Sequence, residues 1–214
     1  MFICTTWTIS GNLATKAEAK KGKGTFEEMV PEWLHDYKSI FDKADFNKMP
    51  LHHSWDHKIE LEEGTKPRNN VHLIPLSDDE TGVLDEFLNE NLWTGRIWES
   101  KSPWASPFFF TQKKDGKLWP VQDYQWLNVM MKKNQTPLPL ISKTINRLKE
   151  AKYFSKMDVR WDFNNIHIAN SDQEKAAFLM KRGLFKPMVM FFRLTNSPAT
   201  FQTMINNILH SLVM

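Results

Sequence analysis

The stretch "SKSPWASPFFFTQKKDGKLWPVQDYQWLN", residues 100–128, decides how the rest of the chain is read. Two apolar runs, "PFFFTQ" and "KLWPVQ", flank "KKDG". Asp-Gly between β-prone runs is hairpin chemistry, because glycine reaches positive φ without a steric penalty. The expectation is strand, turn, strand, with Lys113, Lys114 and Lys117 gathered around the turn. Lysines in that position can lie over phosphates as point charges. They also suit an ordinary exposed turn, and from the hairpin alone that plainer reading is favoured.

Moving toward the N-terminus, "SDDETGVLDEFLNENLWTG", 77–95, is a helix. Ser77 and Glu80 form a capping box, Val83, Leu84, Phe87 and Leu88 make one apolar stripe, and Gly95 supplies the stop. "PLHHSWDHKIELEEG", 50–64, ends in an alternating stretch, His57 to Leu61, that predicts a strand. Its "HHSWDH" holds His52, His53, Asp56 and His57, but neither cysteine nor HExxH spacing accompanies them, so loop histidines are favoured over zinc ligands. "TFEEMVPEWLHDYKSIFDK", 25–43, predicts a short helix after Pro31. "LATKAEAKKGKG", 13–24, is small and polar and reads as linker.

Toward the C-terminus, "LPLISKTINRLKEAK", 138–152, predicts a helix with Ile141, Ile145 and Leu148 inward. "KAAFLMKRGLFKPMVMFF", 175–192, predicts two strands around Arg182-Gly183. "NSPATFQTMINNILHSLVM" predicts a final helix with Ser197 as N-cap, Pro198 at its first position, and Phe201, Met204, Ile205, Ile208, Leu209 and Leu212 inward. Between these lies "KYFSKMDVRWDFNN", 152–165, where Asp158 sits between Met157 and Val159. An unpaired charge is costly to bury, so Asp158 needs a lysine partner or a cation. Asp162, four residues on, shares its face only if the strand continues past Trp161.

Composition sets the frame. A hydrophobic content of 41% with 25% charged residues excludes a disordered chain. The single cysteine, Cys4, excludes an internal disulfide framework. No apolar run reaches the roughly 18 residues of a membrane span, and "MFICTTWTIS" lacks a basic leader, so an intracellular protein of cytoplasm or nucleus, not a secreted one, is expected. Residues 1–100 carry 11 basic and 18 acidic side chains, and residues 101–214 carry 17 and 7. The second half, at a net +10, fits a polyanion such as nucleic acid, or a solvated basic surface.

Taken in order and spacing, the 100–128 stretch, "PLPLISKTINRLKEAKYFSKMDVRWDFNNIHI" and "KAAFLMKRGLFKPMVMFFRLTNSPATFQTMINNIL" resemble the reverse transcriptase of gypsy-type long-terminal-repeat retrotransposons, fungal ones especially. The resemblance implies an α+β fold, the fingers and partial palm of a right-handed polymerase, with an antiparallel sheet and packed helices. It divides the chain into a linker following a protease, 1–24, an N-terminal extension, 25–99, and fingers with partial palm, 100–214. Asp158 matches the first catalytic aspartate, which holds magnesium with the backbone carbonyl of Val159. Lys113 or Lys114 matches the fingers lysine that meets the triphosphate. Phe163 matches the aromatic gate against a ribose 2′-hydroxyl. Phe192, Pro198 and Gln202 match residues on the nucleotide and template side. The implied cofactor is Mg2+, and the implied partners are an RNA or DNA template–primer, a deoxynucleoside triphosphate (dNTP) and other parts of a retroelement polyprotein, without a membrane.

Departures accompany the matches. The family's "L-R-P-V-x-D-Y-R" stands here as "LWPVQDYQ", with Trp119 and Gln125 for arginines. Its "F-G-L-T-N" stands as "FRLTN", with Arg193 for glycine. Its "Y-x-D-D" hairpin is not found up to Met214. The expectation is a fragment of an RNA-directed DNA polymerase, truncated before that hairpin and inactive alone. The alternative is a catalytically silent nucleic-acid-binding fragment or a decayed retroelement product.

Overall fold

Two runs of β-prone residues joined by "KKDG" do form a hairpin. Strand β2 (Ser106–Gln112) pairs antiparallel with β3 (Leu118–Gln122), from Phe108↔Gln122 to Gln112↔Leu118. The turn closes through Lys113 N–H to the Lys117 carbonyl at 2.8 Å and Gly116 N–H to the Lys113 carbonyl at 2.9 Å. Gly116 holds φ +81°, which is why the turn carries glycine there. The computed structural model describes residues 25–41, 47–68, 71–113, 116–134, 136, 142, 146, 149, 152, 159 and 161–210.

The chain divides into two compact units, 1–48 and 49–214. In the first, α1 (Phe26–Met29) starts on a Thr25/Glu28 capping box. A 3₁₀ segment, Glu32–Phe41, follows Pro31 and kinks at Tyr37, so the helix expected after the proline is present in the tighter form.

The second unit is a five-stranded sheet in the order β1-β5-β4-β2-β3, with helices packed on it. Helix α2 (Asp78–Trp93) has the predicted capping box, with Glu80 N–H reaching Ser77 Oγ and Ser77 N–H reaching Glu80 Oε2. Its Leu84 and Leu88 are buried, and Val83 and Phe87 pack beside them. Strand β1 (Ile97–Glu99) pairs antiparallel with β5 (Gly183–Pro187), and β5 with β4 (Phe178–Met180). The two strands predicted around Arg182-Gly183 are thus β4 and β5. One pairing departs from an all-antiparallel sheet. Strand β4 meets β2 in parallel, Ser106↔Phe178 and Pro107↔Leu179, which the long connection between the strands permits.

Residues 57–61 do not form the predicted strand. They alternate inward and outward, with His57 and Ile59 buried, but join the rest only through isolated bridges, His57↔Ile168 and Leu61↔Met131. Among the described residues no second strand runs alongside for long enough to make a ladder. Side chains fasten this segment instead. Asp172 accepts from Ile59 N–H at 2.9 Å, Lys175 donates to the Ile59 carbonyl at 2.8 Å, and His167 donates from Nε2 to the Pro50 carbonyl at 2.7 Å.

Helix α3 (Gln125–Met130) follows β3, and α4 (Ser197–Ile208) closes the described chain. The cap of α4 is Asn196 rather than Ser197, which is already helical. Asn196 is occupied elsewhere: its Oδ1 accepts from Asn134 N–H and its Nδ2 donates to the Lys132 carbonyl. Met204 is buried, whereas Ile208 is 58% exposed. Of the helix expected over 138–152 only residues 142, 146, 149 and 152 are described, and Asp158 and most of its expected strand lie outside the described residues. Tyr124, Phe178, Ile59, Leu84, Ile97 and Leu127 are the fully buried heart of the unit. Among the described residues no helix is long and apolar enough to cross a membrane.

Candidate nucleotide site

The hairpin and the turn before α4 meet through aromatic rings. Trp119, opposite Thr111 on β3, lies with its ring centroid 6.0 Å from that of Phe192. Phe192 meets Phe163 edge-on at 5.4 Å, and Phe163 meets Phe201 of α4 at 5.6 Å. Lys113 places Nζ 3.7 Å from the centroid of the Trp119 ring. Residues predicted to share a site from positions 113, 163 and 192 are therefore joined in one continuous ladder.

Local structure explains why each ring stands where it does. Phe163 rides a 3₁₀ turn, Asp162–Asn165, entered through Trp161 at φ 51°. The Asp162 carboxylate accepts from Phe163 N–H at 2.9 Å, so it caps its own turn instead of continuing a strand face. Arg96, nearly buried, lays its guanidinium 5.6 Å from the Trp161 ring centroid and braces the turn from behind. Phe192 precedes Arg193, whose φ is +75°. Asn128 of α3 fixes that bend: its Nδ2 donates to the Arg193 carbonyl at 2.6 Å and its Oδ1 accepts from Thr195 N–H at 2.9 Å. A mostly apolar cavity of about 70 Å³ lies behind the rings, between Phe87, Trp119, Gln122, Trp161, Asn164 and Phe192.

The remaining predicted residues fall as follows. Lys113 is exposed, Phe163 half-buried and Phe192 37% exposed. Val159 is 49% exposed. Pro198 is exposed in the first turn of α4, and Gln202, one turn on, donates to Asn206 Oδ1 at 2.8 Å. Asp158 and Lys114 lie outside the described residues. Among the described residues no group of three or more His, Cys, Asp or Glu side chains is placed to hold a metal ion.

The "HHSWDH" histidines go to separate partners. His52 pairs with Asp56 at 2.5 Å and stacks on His167, and His53 stacks on Trp55. His57 is wholly buried, with Nδ1 2.9 Å from Thr200 Oγ1. Burial pushes its pKa down to about 4, against the opposing pull of the Asp172 carboxylate. A second groove, about 480 Å³, runs past Trp55, Lys58, Lys132, Lys133 and Thr200, with Asp56 and Glu60 on its wall. It shares no lining residue with the ring ladder.

Sequence reasoning missed the bracing residues, Asn128 and Arg96, and the contact between Lys113 and Trp119. One signal was available: a non-glycine residue standing where glycine was expected, at Arg193, points to a bend that another side chain must hold.

Comparison with known proteins bears on the sequence family and the fold. Residues 111–213 match the family model described as reverse transcriptase (RNA-dependent DNA polymerase). The chain is 30% identical over 203 residues to the Transposon Tf2-3 polyprotein of Schizosaccharomyces pombe, and equally so to the Tf2-7 polyprotein. Each alignment covers 94% of this chain and 15% of the polyprotein. Among solved structures, the crystal structure of a Prototype Foamy Virus protease–reverse transcriptase mutant superposes with a TM-score of 0.65 at 18% identity. That match covers 98% of this chain and 28% of the viral chain, and it shows the fold. Residues 111–213 are thus similar in sequence to the reverse transcriptase family, and the chain spans about 15% of the length of the Tf2 polyproteins it matches. The fold class is the α+β polymerase type, with a mainly antiparallel sheet and packed helices.

Proposed function

We propose that these residues are the fingers and part of the palm of an RNA-directed DNA polymerase of the gypsy type, the part that receives a dNTP against a template–primer. The observation that carries this reading is the ladder from Lys113 through Trp119, Phe192 and Phe163 to Phe201. It unites a basic hairpin with a row of edge-to-face aromatic rings, which suits phosphates at one end and a sugar and base at the other. In this reading Lys113 and Lys114 meet the triphosphate, Phe163 bounds the sugar, and Phe192, Pro198 and Gln202 line the nucleotide and template side. Asp158, with the Val159 carbonyl, is the proposed ligand of magnesium, which when bound neutralises phosphate charge and activates the primer hydroxyl. The proposed setting is intracellular, within a longer polyprotein.

A polypeptide of these 214 residues is not expected to extend a primer. Two-metal transfer needs more than one carboxylate, and Asp158 alone is matched within them. Purified protein with magnesium, dNTPs and primer–template should incorporate no more than its Asp158→Ala variant, and incorporation above that control would overturn the proposal of inactivity.

The groove beside Lys58, Lys132 and Lys133 favours a second reading, a catalytically silent nucleic-acid-binding segment. It predicts a gel shift of primer–template that weakens steeply with salt. Absence of any shift at low salt removes it.

A further inference from the structure

Helix α4 presents Pro198 and Gln202 near its start, and a side chain from a distant segment reaches that same stretch. His57 Nδ1 and Thr200 Oγ1 share a hydrogen bond of 2.9 Å between residues 143 positions apart. His57 is not free to follow the helix. Its N–H donates to the His167 carbonyl at 2.8 Å, and its carbonyl accepts from Ala169 N–H at 2.9 Å. The ring is wholly buried, and among the described residues its Nε2 has no partner. The Asp172 carboxylate that faces it is taken by Ile59 N–H at 2.9 Å and Lys175 Nζ at 2.6 Å. Thr200 is thus the polar anchor of the imidazole, and a buried polar atom is costly to leave without its partner. The backbone fixes the ring, the ring fixes the hydroxyl, and the hydroxyl fixes the turn of helix that carries it.

We infer that His57 is a positioning residue for the template–primer: through Thr200 Oγ1 the buried imidazole sets the start of α4, and with it the edge that Pro198 and Gln202 present. The inference rests on the template-side reading of those two residues and adds the residue that holds them. His57 touches no nucleic acid in this account and acts only through Thr200. Thr200 also lines the groove beside Lys58, Lys132 and Lys133, so the same bond sets one wall of that groove. A helix start held before binding does not have to be ordered during it, and affinity rises by the ordering that is avoided.

Fluorescence anisotropy of a labelled primer–template with the whole chain, at pH 7.5 and low salt, tests it. Thr200→Val removes the hydroxyl and keeps the branched shape. His57→Phe keeps a flat ring and removes the unpartnered Nε2, so the fold has a reason to tolerate it. Each variant, shown to be folded by circular dichroism, should bind about 2- to 12-fold more weakly, the equivalent of one hydrogen bond. Adding Thr200→Val to His57→Phe should cost nothing further, because both remove the same bond. Thr200→Ser, which restores the hydroxyl, should bind as the native chain does. A purely structural role for His57 would shift the urea midpoint and leave the affinity of the folded chain unchanged, and that result overturns the inference while the template-side reading stands. A loss in Thr200→Val that His57→Phe does not share places the hydroxyl itself on the nucleic acid and also overturns it. Failure of the native chain to bind primer–template overturns the template-side reading and the positioning role together.

Discussion

Arg193 holds φ +75° where a side chain strains against its own carbonyl, and Asn128, donating to the Arg193 carbonyl and accepting from Thr195 N–H, keeps it there. The left-handed conformation costs a non-glycine residue about 1–2 kcal/mol. Glycine removes that strain but gains freedom in the unfolded chain, about 0.5–1 kcal/mol in the other direction. Arg193→Gly is therefore expected to stabilise the protein by up to about 1.5 kcal/mol, read as a higher urea midpoint at unchanged slope. His57 illustrates a buried group in the opposite sense. It titrates near 4 when folded and near 6.5 when not. The unfolded chain takes up the proton first, so stability is intact above pH 6.5 and falls as the pH drops toward 4, by about 3 kcal/mol in all. Urea unfolding at pH 7.5 and pH 4.5 measures the loss. His57→Gln, which cannot titrate, should flatten that part of the profile, and an equally steep profile in the variant would locate the effect elsewhere.

At the scale of elements, α2 owes its start to a reciprocal pair, Ser77 and Glu80, on an exposed surface. Ser77→Ala should cost about 1 kcal/mol without disturbing the core, because the change removes a partner for an orphan helix N–H and leaves Leu84 and Leu88 in place. A circular-dichroism melt against the native chain decides it. The hairpin, α2 and the β4–β5 pair were all legible, because each is specified by neighbours in sequence: "KKDG" for the turn, the cap box and the 83–88 stripe for the helix, Arg182-Gly183 for the second turn. The 57–61 segment has the alternation of a strand and the burial pattern of one. Whether it becomes a strand depends on a partner running alongside, and among the described residues it meets single bridges from Ile168 and Met131.

At the scale of the molecule, the sheet is stitched from distant segments, and Phe178 stands at the seam. It is fully buried in β4, against Phe108 of β2 and Phe191. Phe178→Ala should cost about 3–5 kcal/mol. Because β1, β5, β4 and β2 share one core, tryptophan fluorescence and circular dichroism should report the same shifted transition, and separated transitions would show that the 49–214 unit does not unfold as one. The amino-acid sequence by itself determined the hairpin, the capped helix and the basic second half, since these rest on local turn chemistry, period and residue type, whereas the candidate nucleotide residues come from the resemblance to reverse transcriptases. Only the tertiary structure decided that Lys113 covers Trp119, that Phe163, Phe192 and Phe201 share an edge-to-face ladder, that Asp162 caps its own turn and that Asn128 holds the bend at Arg193. Most of those contacts join residues tens of positions apart or hang on a single backbone dihedral, and the Lys113–Trp119 contact turns on a side-chain rotamer; neither periodicity nor propensity carries that information.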